Sequence, residues 1–230
     1  RTLYACQSCG YQSTKWLGRC PECGTWSSFV EELREAPKRG GKVGERPGSA
    51  PVALSEIDQE QVLRTPSGMP ALDRVLGGGV VAGGTVLLAG EPGIGKSTLL
   101  LQLAARLAGL ERKVLYASAE ESPRQLRLRA ERLGCASSDV LVVGETRLEA
   151  VLDTARAVTG GVPAALLVDS IQAIASDELE STPGSIGQVR HCANRLVDFA
   201  KRSESTLFLV GHVTKEGTIA GPKSLEHLVD

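Results

Sequence analysis

The sequence predicts an α/β fold, with a mainly parallel central sheet covered by helices on both faces and a small cysteine-rich module in front of it. Three observations predict it. From about Ser55 onward, short apolar runs of strand length alternate with amphipathic stretches of helix length; the first such run empties into a glycine-rich loop ending in Gly-Lys-Ser; and four of the six cysteines fall before residue 24.

Taken in order, residues 1–30 read as a four-cysteine zinc finger that also holds both tryptophans and two of the three tyrosines. Residues 31–54 carry proline, glycine and charge with little apolar periodicity, the composition of a linker. Residues 55–230 are the α/β core. Its expected strands are "TVLLAG" (85–90), "KVLYAS" (113–118), "DVLVVG" (139–144), "AALLVD" (164–169) and "TLFLVG" (206–211), and its helices are expected to start near Ser97, Ser122, Thr146 and Ser185. Near-continuous apolar strands separated by helices are the pattern of a parallel sheet buried on both faces.

Twenty-six basic residues against 27 acidic ones give a formal charge of −1, which excludes a global basic field for a polyanionic partner. No apolar run approaches the ~18 residues of a membrane span and no charged-then-apolar leader opens the sequence, so a cytoplasmic protein is expected, without membrane partners. Cys135 and Cys192, scattered singly, are expected to be buried structural thiols.

Gly90, Gly95, Lys96 and Ser97 fit the pattern G-x-x-x-x-G-K-[ST] between a strand and a helix. The chemistry explains the residue types. Glycines let successive backbone N–H groups converge on phosphate oxygens, and a helix N-terminus adds its positive dipole end. ATP or ADP is therefore expected along Gly90, Glu91, Pro92, Gly93, Ile94, Gly95, Lys96, Ser97 and Thr98, with Lys96 neutralising the β- and γ-phosphates and Ser97 ligating Mg²⁺. Asp169 ends an apolar strand where a second magnesium-coordinating acid belongs. Glu120 and Glu121 follow the neighbouring strand as candidates to polarise the attacking water; Glu120 lies nearer the strand end and is preferred, while Glu121 also suits the first turn of the next helix. His212, at the end of "TLFLVG", reaches the same rim and is read as a γ-phosphate sensor.

Cys6 and Cys9 form one C-x-x-C pair, Cys20 and Cys23 another, spacing that suits a closed tetrahedral zinc site. Some thirty residues cannot bury a sufficient core, so the metal would supply folding free energy. Tyr11, Lys15, Trp16, Arg19 and Trp26 offer cations and rings that could stack on bases or simply pack the little domain.

The stretches "YACQSCGYQSTKWLGRCPECGTW", "GMPALDRVLGGGVVAGGTVLLAGEPGIGKSTLL", "GSIGQVRHCANRLVDFAK" and "GHVTKEGTIAGPKSLEHLVD" resemble the bacterial RadA (Sms) DNA-repair family across essentially the whole sequence. The resemblance implies a RecA-like P-loop ATPase that acts on DNA in homologous recombination, a hexameric ring on single-stranded DNA that moves branch points of recombination intermediates. It implies a recombinase or replicative helicase as the partner of the zinc module. The family continues past "LEHLVD" into further strands, a Lys-Asn-Arg-Phe-Gly motif and a domain resembling the Lon protease, none of which is in this sequence. By the same resemblance, the loops 176–190 and 214–223 face the DNA, with Arg190, Lys215 and Lys223 as phosphate-binding cations, although Asp177, Glu178 and Glu180 make the first loop acidic at its start. Arg124, Arg127, Arg129 and Arg132 form a rival basic patch whose ordinary role is a solvated helix face. A different class, a nucleotide-switched signalling ATPase or autokinase as in the circadian-clock KaiC family, would share the phosphate loop and "ASAEES" but not the zinc module.

Overall fold

The computed structural model describes residues 2–6, 10–33, 53, 64–109, 113–158, 161–212, 225 and 228–229. At the N-terminus, β1 (Thr2–Cys6) pairs antiparallel with β2 (Gln12–Ser13) and with β3 (Phe29–Leu33), in the order β2-β1-β3. Strand β3 runs past residue 30, so the small module takes up the first residues of the segment whose composition suggests a linker. The rest of that segment, apart from Ala53, lies outside the described residues.

The larger unit contains α1 (Pro70–Val75), β4 (Thr85–Gly90), α2 (Lys96–Ala108), β5 (Val114–Ser118), α3 (Pro123–Arg132), β6 (Val140–Val143), α4 (Leu148–Arg156), β7 (Ala165–Asp169), a 3-10 turn at Ile171–Ala173, α5 (Ile186–Ser203) and β8 (Thr206–His212). All five strands of its sheet are parallel, in the order β4-β8-β7-β5-β6. The phosphate-loop strand β4 and the short strand β6 are the edges among the described strands.

The apolar runs divide between the two faces by the strand period of two. Leu115 and Ala117 of β5, Leu166 and Val168 of β7, and Leu207 and Leu209 of β8 pack with Leu148, Val151, Leu152, Val189, Cys192 and Leu196 of α4 and α5. Val114, Tyr116, Ala165, Leu167, Phe208 and Val210 point the other way, into Leu100, Leu103, Leu107 and Leu126 of α2 and α3. Every residue of the central strands β5 and β7 is buried, whereas β4 and β6 are mostly half-buried, as edge position dictates. Cys192 is fully buried, and burial pushes its thiol up to about 12. Cys135, expected to be buried, is only half-buried beside the second cluster; desolvation still raises its thiol pKa.

Helix starts are set by side chains that satisfy the first backbone donors. Ser122 precedes α3 in a reciprocal capping box, its Oγ accepting from Gln125 N at 3.3 Å and its own N donating to Gln125 Oε1 at 2.9 Å, with Pro123 next in the first turn. Ser185 Oγ likewise accepts from Gln188 N at 3.4 Å ahead of α5. Helix α4 begins at Leu148, later than the Thr146 expected, because the Glu145 carboxylate accepts from Thr146 N and Arg147 N, both at 2.9 Å, and holds that turn outside the helix. Replacing Ser122 by Ala removes the α3 cap and should lower stability by about 1 kcal/mol; denaturant unfolding checks it, and an unchanged midpoint would mean that α3 is held by packing alone.

Candidate nucleotide site and metal centre

Parallel strands direct their C-terminal ends to one rim, and the sequence-predicted residues gather there. Lys96 follows β4, Glu120 follows β5, Asp169 ends β7 and His212 ends β8. The loop 90–97 passes through Gly93 (φ 82°) and Gly95 (φ 100°), a backbone that L side chains rarely adopt, and Gly95 is the N-cap of α2. Lys96 is the first residue of that helix and is 9% exposed; its Nζ donates to the carbonyls of Gly90 and Glu91, both at 2.8 Å. The ammonium is thus folded over its own loop, and Ser97 and Thr98 follow it in the first turn.

Asp169 is 6% exposed. Its Oδ2 accepts a 2.7 Å hydrogen bond from Tyr116 Oη, while its Oδ1 is buried and has no hydrogen-bond partner among the described residues. Burial, and then the Asp169 charge, raise the pKa of Tyr116, so the phenol stays protonated. The Asp169–Ser170 peptide bond is cis.

Glu120 Oε1 accepts from Ser170 Oγ and lies 2.8 Å from His212 Nε2. Partial burial works to raise the pKa of Glu120, but the hydrogen bonds from His212 and Ser170, with the charges of His212 and Lys96, outweigh it and hold the carboxyl below its ordinary value of 4.5. Glu121 points elsewhere: its carboxylate pairs with Arg129, and its carbonyl accepts from Ser118 Oγ at 2.7 Å. The two adjacent acids are therefore divided, Glu120 to the rim and Glu121 to the helix. Sequence reading missed Ser170 and Tyr116, because only the strand pairing shows that they touch the two carboxylates.

The flanking features are less open than their composition suggests. In the loop 176–190, Gln188 is 1% exposed; its Oε1 accepts from Ser176 N at 2.9 Å, and its Nε2 donates to the carbonyls of Ser176, Leu179 and Ser181 at 3.0–3.1 Å. Glu178 meets Arg195 at 2.7 Å and His191 at 3.4 Å, and Asp177 meets Arg147 at 3.8 Å, so two of the three acids that begin this loop face arginines of the same domain, while Glu180 is exposed. Arg190 is exposed. Lys215 and Lys223, with the rest of the loop 214–223, lie outside the described residues. On α3, Arg127 pairs with Glu131 and Arg129 with Glu121, while Arg124 and Arg132 are exposed, the arrangement of a solvated helix face.

In the N-terminal module the sulfurs of Cys6, Cys20 and Cys23 lie within 4.8 Å of one another, close enough to share one ion. Cys9 lies outside the described residues. Two matching hydrogen bonds follow Cys6 and Cys20: Gly10 N donates to Cys6 O at 2.8 Å and Gly24 N to Cys20 O at 2.9 Å, with φ of 79° and 74° at the glycines. The hydroxyls of Ser28 and Thr25 approach Cys6 and Cys23 Sγ at 3.1 and 3.3 Å. Tyr11 packs edge-on against Phe29, whereas Trp16 and Trp26 are 56% and 70% exposed, with the Arg19 guanidinium 5.8 Å from the Trp26 ring centroid. Among the described residues, no helix is long and apolar enough to cross a membrane.

This geometry is that of a P-loop ATPase domain, and the family model described as "AAA domain" matches residues 52–218, so the chain belongs to that family. A second model, "Rubredoxin metal binding domain", matches residues 4–31. The chain is similar over its whole length to proteins named DNA repair protein RadA: 46% identical to that of Halalkalibacterium halodurans, and 47% identical to those of Aquifex aeolicus and Listeria monocytogenes. The family resemblance read from the motifs is upheld. The chain spans about half the length of these curated relatives, 100% of it matching 50% of each. Among solved structures, the ATPase domain of G40P shares the fold with a TM-score of 0.55 at 16% identity, over 68% of this chain and 66% of that one. The RecA-like fold class expected from the sequence is the one observed.

Because the folded pKa of Glu120 is depressed, its contribution to stability is present above the ordinary carboxylate value and lost as pH falls through the folded one. The stability difference between the parent and Glu120→Gln should therefore shrink as pH is lowered from about 6 to about 3 in denaturant titrations without nucleotide. A difference independent of pH would show that the contacts with His212 and Ser170 do not persist in solution.

Proposed function

We propose that this chain is the nucleotide-hydrolysing part of a DNA-dependent ATPase in homologous recombination and DNA repair, and that the protein it belongs to drives branch migration by translocating on single-stranded DNA as a hexameric ring. The observation that carries the hydrolytic part is the convergence of Lys96, Asp169, Glu120 and His212 at one rim of the sheet. The DNA-repair part rests on the similarity to proteins named RadA.

The donor set fits magnesium: Asp169 Oδ1 is buried, acidic and lacks a hydrogen-bond partner among the described residues, and the Ser97 hydroxyl stands in the first turn of α2 after Lys96. When bound, the ion would neutralise charge on the β- and γ-phosphates. Lys96 exchanges its two carbonyl partners in the loop for phosphate oxygens and brings its charge to the transferring group. Glu120 orients the attacking water and accepts its proton. The ionised form required for this is the one that Lys96 and His212 favour. In this reading His212, 2.8 Å from Glu120, holds that acid before the substrate enters and then answers the γ-phosphate, so that the state of the nucleotide sets the posture of the base. The three described sulfurs, with Cys9 as the fourth ligand, would hold one zinc ion, and Trp16, Trp26, Lys15 and Arg19 give that module a face suited to bases or to a recombinase or replicative helicase.

Lys96→Ala should reduce ATP hydrolysis by at least about 100-fold while the circular dichroism and unfolding midpoint stay close to the parent's; normal turnover would remove the phosphate-loop assignment. Single-stranded DNA should accelerate hydrolysis by the full-length protein, with an affinity that falls steeply with salt. No acceleration at low salt would leave a nucleotide switch as the better reading. Metal analysis should find about one zinc per chain, and chelation should unfold the N-terminal module alone, visible in tryptophan fluorescence because both tryptophans lie there.

A further inference from the structure

We propose that Tyr116 is a positioning residue for the metal-binding carboxylate: its hydroxyl occupies Oδ2 of Asp169 and aims Oδ1 as the open ligand atom. This rests on the reading of Asp169 as the magnesium acid. Three observations carry it. Tyr116 is fully buried, in the apolar cluster that also holds Leu100 and Leu103 of α2, Leu126 of α3 and Phe208 of β8. A phenol in such surroundings requires a partner, and it finds one in Asp169 at 2.7 Å. The register explains the reach: Tyr116 lies opposite Leu167, and Ser118 opposite Asp169, so ring and carboxylate stand on one face of adjacent parallel strands, two residues apart along the rise.

The pairing serves the carboxylate more than the core. Phenylalanine would fill the same apolar space without a hydroxyl to desolvate. A Lys or Arg at this place would bind Asp169 more strongly, but it would compete with a cation for the charge. A neutral donor on one oxygen lowers the cost of burying an ionised group, fixes the carboxylate plane and leaves the full negative charge for the ion. The remaining oxygen, buried and without a hydrogen-bond partner among the described residues, is what such an arrangement leaves behind.

The test is Tyr116→Phe, read by electron paramagnetic resonance titration of Mn²⁺ into the ADP-bound chain. Mn²⁺ affinity should fall about 10- to 100-fold, the usual effect of removing a partner from a metal ligand, while ADP affinity in excess EDTA and the circular dichroism spectrum match the parent's. Unchanged Mn²⁺ affinity would overturn the proposal, and so would an equal loss of metal-free ADP affinity, which is the mark of a merely structural role. Asp169→Asn, run in the same titration, separates the two levels. If it keeps the parental affinity, Asp169 is not the metal acid and both readings fall; if it loses Mn²⁺ while Tyr116→Phe does not, only the role of Tyr116 is refuted.

Discussion

The site depends first on the direction of the strands. In a sheet whose five described strands all run parallel, each crossover returns the chain to the same starting edge, so every strand delivers its last residue to the opposite rim. Lys96, Glu120, Asp169 and His212 are more than a hundred residues apart at their extremes, yet Asp169 and His212 need only end a strand, Glu120 only follow one closely, and Lys96 only start the helix after the loop that leaves β4. Strand β8 enters between β4 and β7, and this insertion sets His212 against the acid that follows β5. Precision here comes from the buried sheet and not from the loops. β5 and β7 are buried along their whole length, and their alternating apolar side chains lock into two separate layers.

At this rim two carboxylates meet opposite electrostatic conditions. Asp169 is taken almost wholly out of water and receives one neutral donor on one oxygen, an incomplete solvation that suits an atom waiting for a cation. Glu120 is more exposed, and it is surrounded by donors and positive charge that favour its ionised form. A carboxylate held so has a reduced appetite for a proton, so on the proposed role of Glu120 the contacts that keep it ionised would also restrain it as a base. Withdrawal of His212 or Lys96 toward phosphate would remove part of that restraint when substrate is present.

The sequence carried the strands because all five are apolar runs bounded by loops, and the phosphate loop because its residue types and spacing have no common alternative between a strand and a helix. It also placed α3 and α5 through Ser122 and Ser185. Helix α4 was less legible: Glu145 acts as a local acceptor, and nothing in a linear reading says that a glutamate will take two backbone donors and delay the helix. Short α1, with no buried residue, lacked a periodic signal. The contacts of Tyr116 and Ser170 could not be read at all. They depend on which strands are neighbours, and the sequence gives the order of strands along the chain but not across the sheet. Gln188 shows the same limit. Its loop is polar and punctuated by glycine and proline, which reads as mobile, but one buried amide with four hydrogen bonds ties it to α5.

The N-terminal module is stabilised on different terms from the ATPase core. Its apolar cluster consists of Cys6, Cys20 and Phe29, with Tyr4 and Leu17 partly buried against it. Two of the three buried members are cysteines of the metal pattern, so most of what this module has for a core is its ligand set. Trp16 and Trp26, the largest apolar surfaces available to it, remain outside. A domain that left its two largest rings in solvent while relying on apolar burial would forgo several kcal/mol by the usual burial scale of ~25 cal/mol per Å². On the proposal that an ion supplies the folding free energy, those rings would be left free for the proposed recognition face. The exposed tryptophans and the clustered sulfurs then form one arrangement: the proposed metal would replace the core, leaving the large rings at the surface.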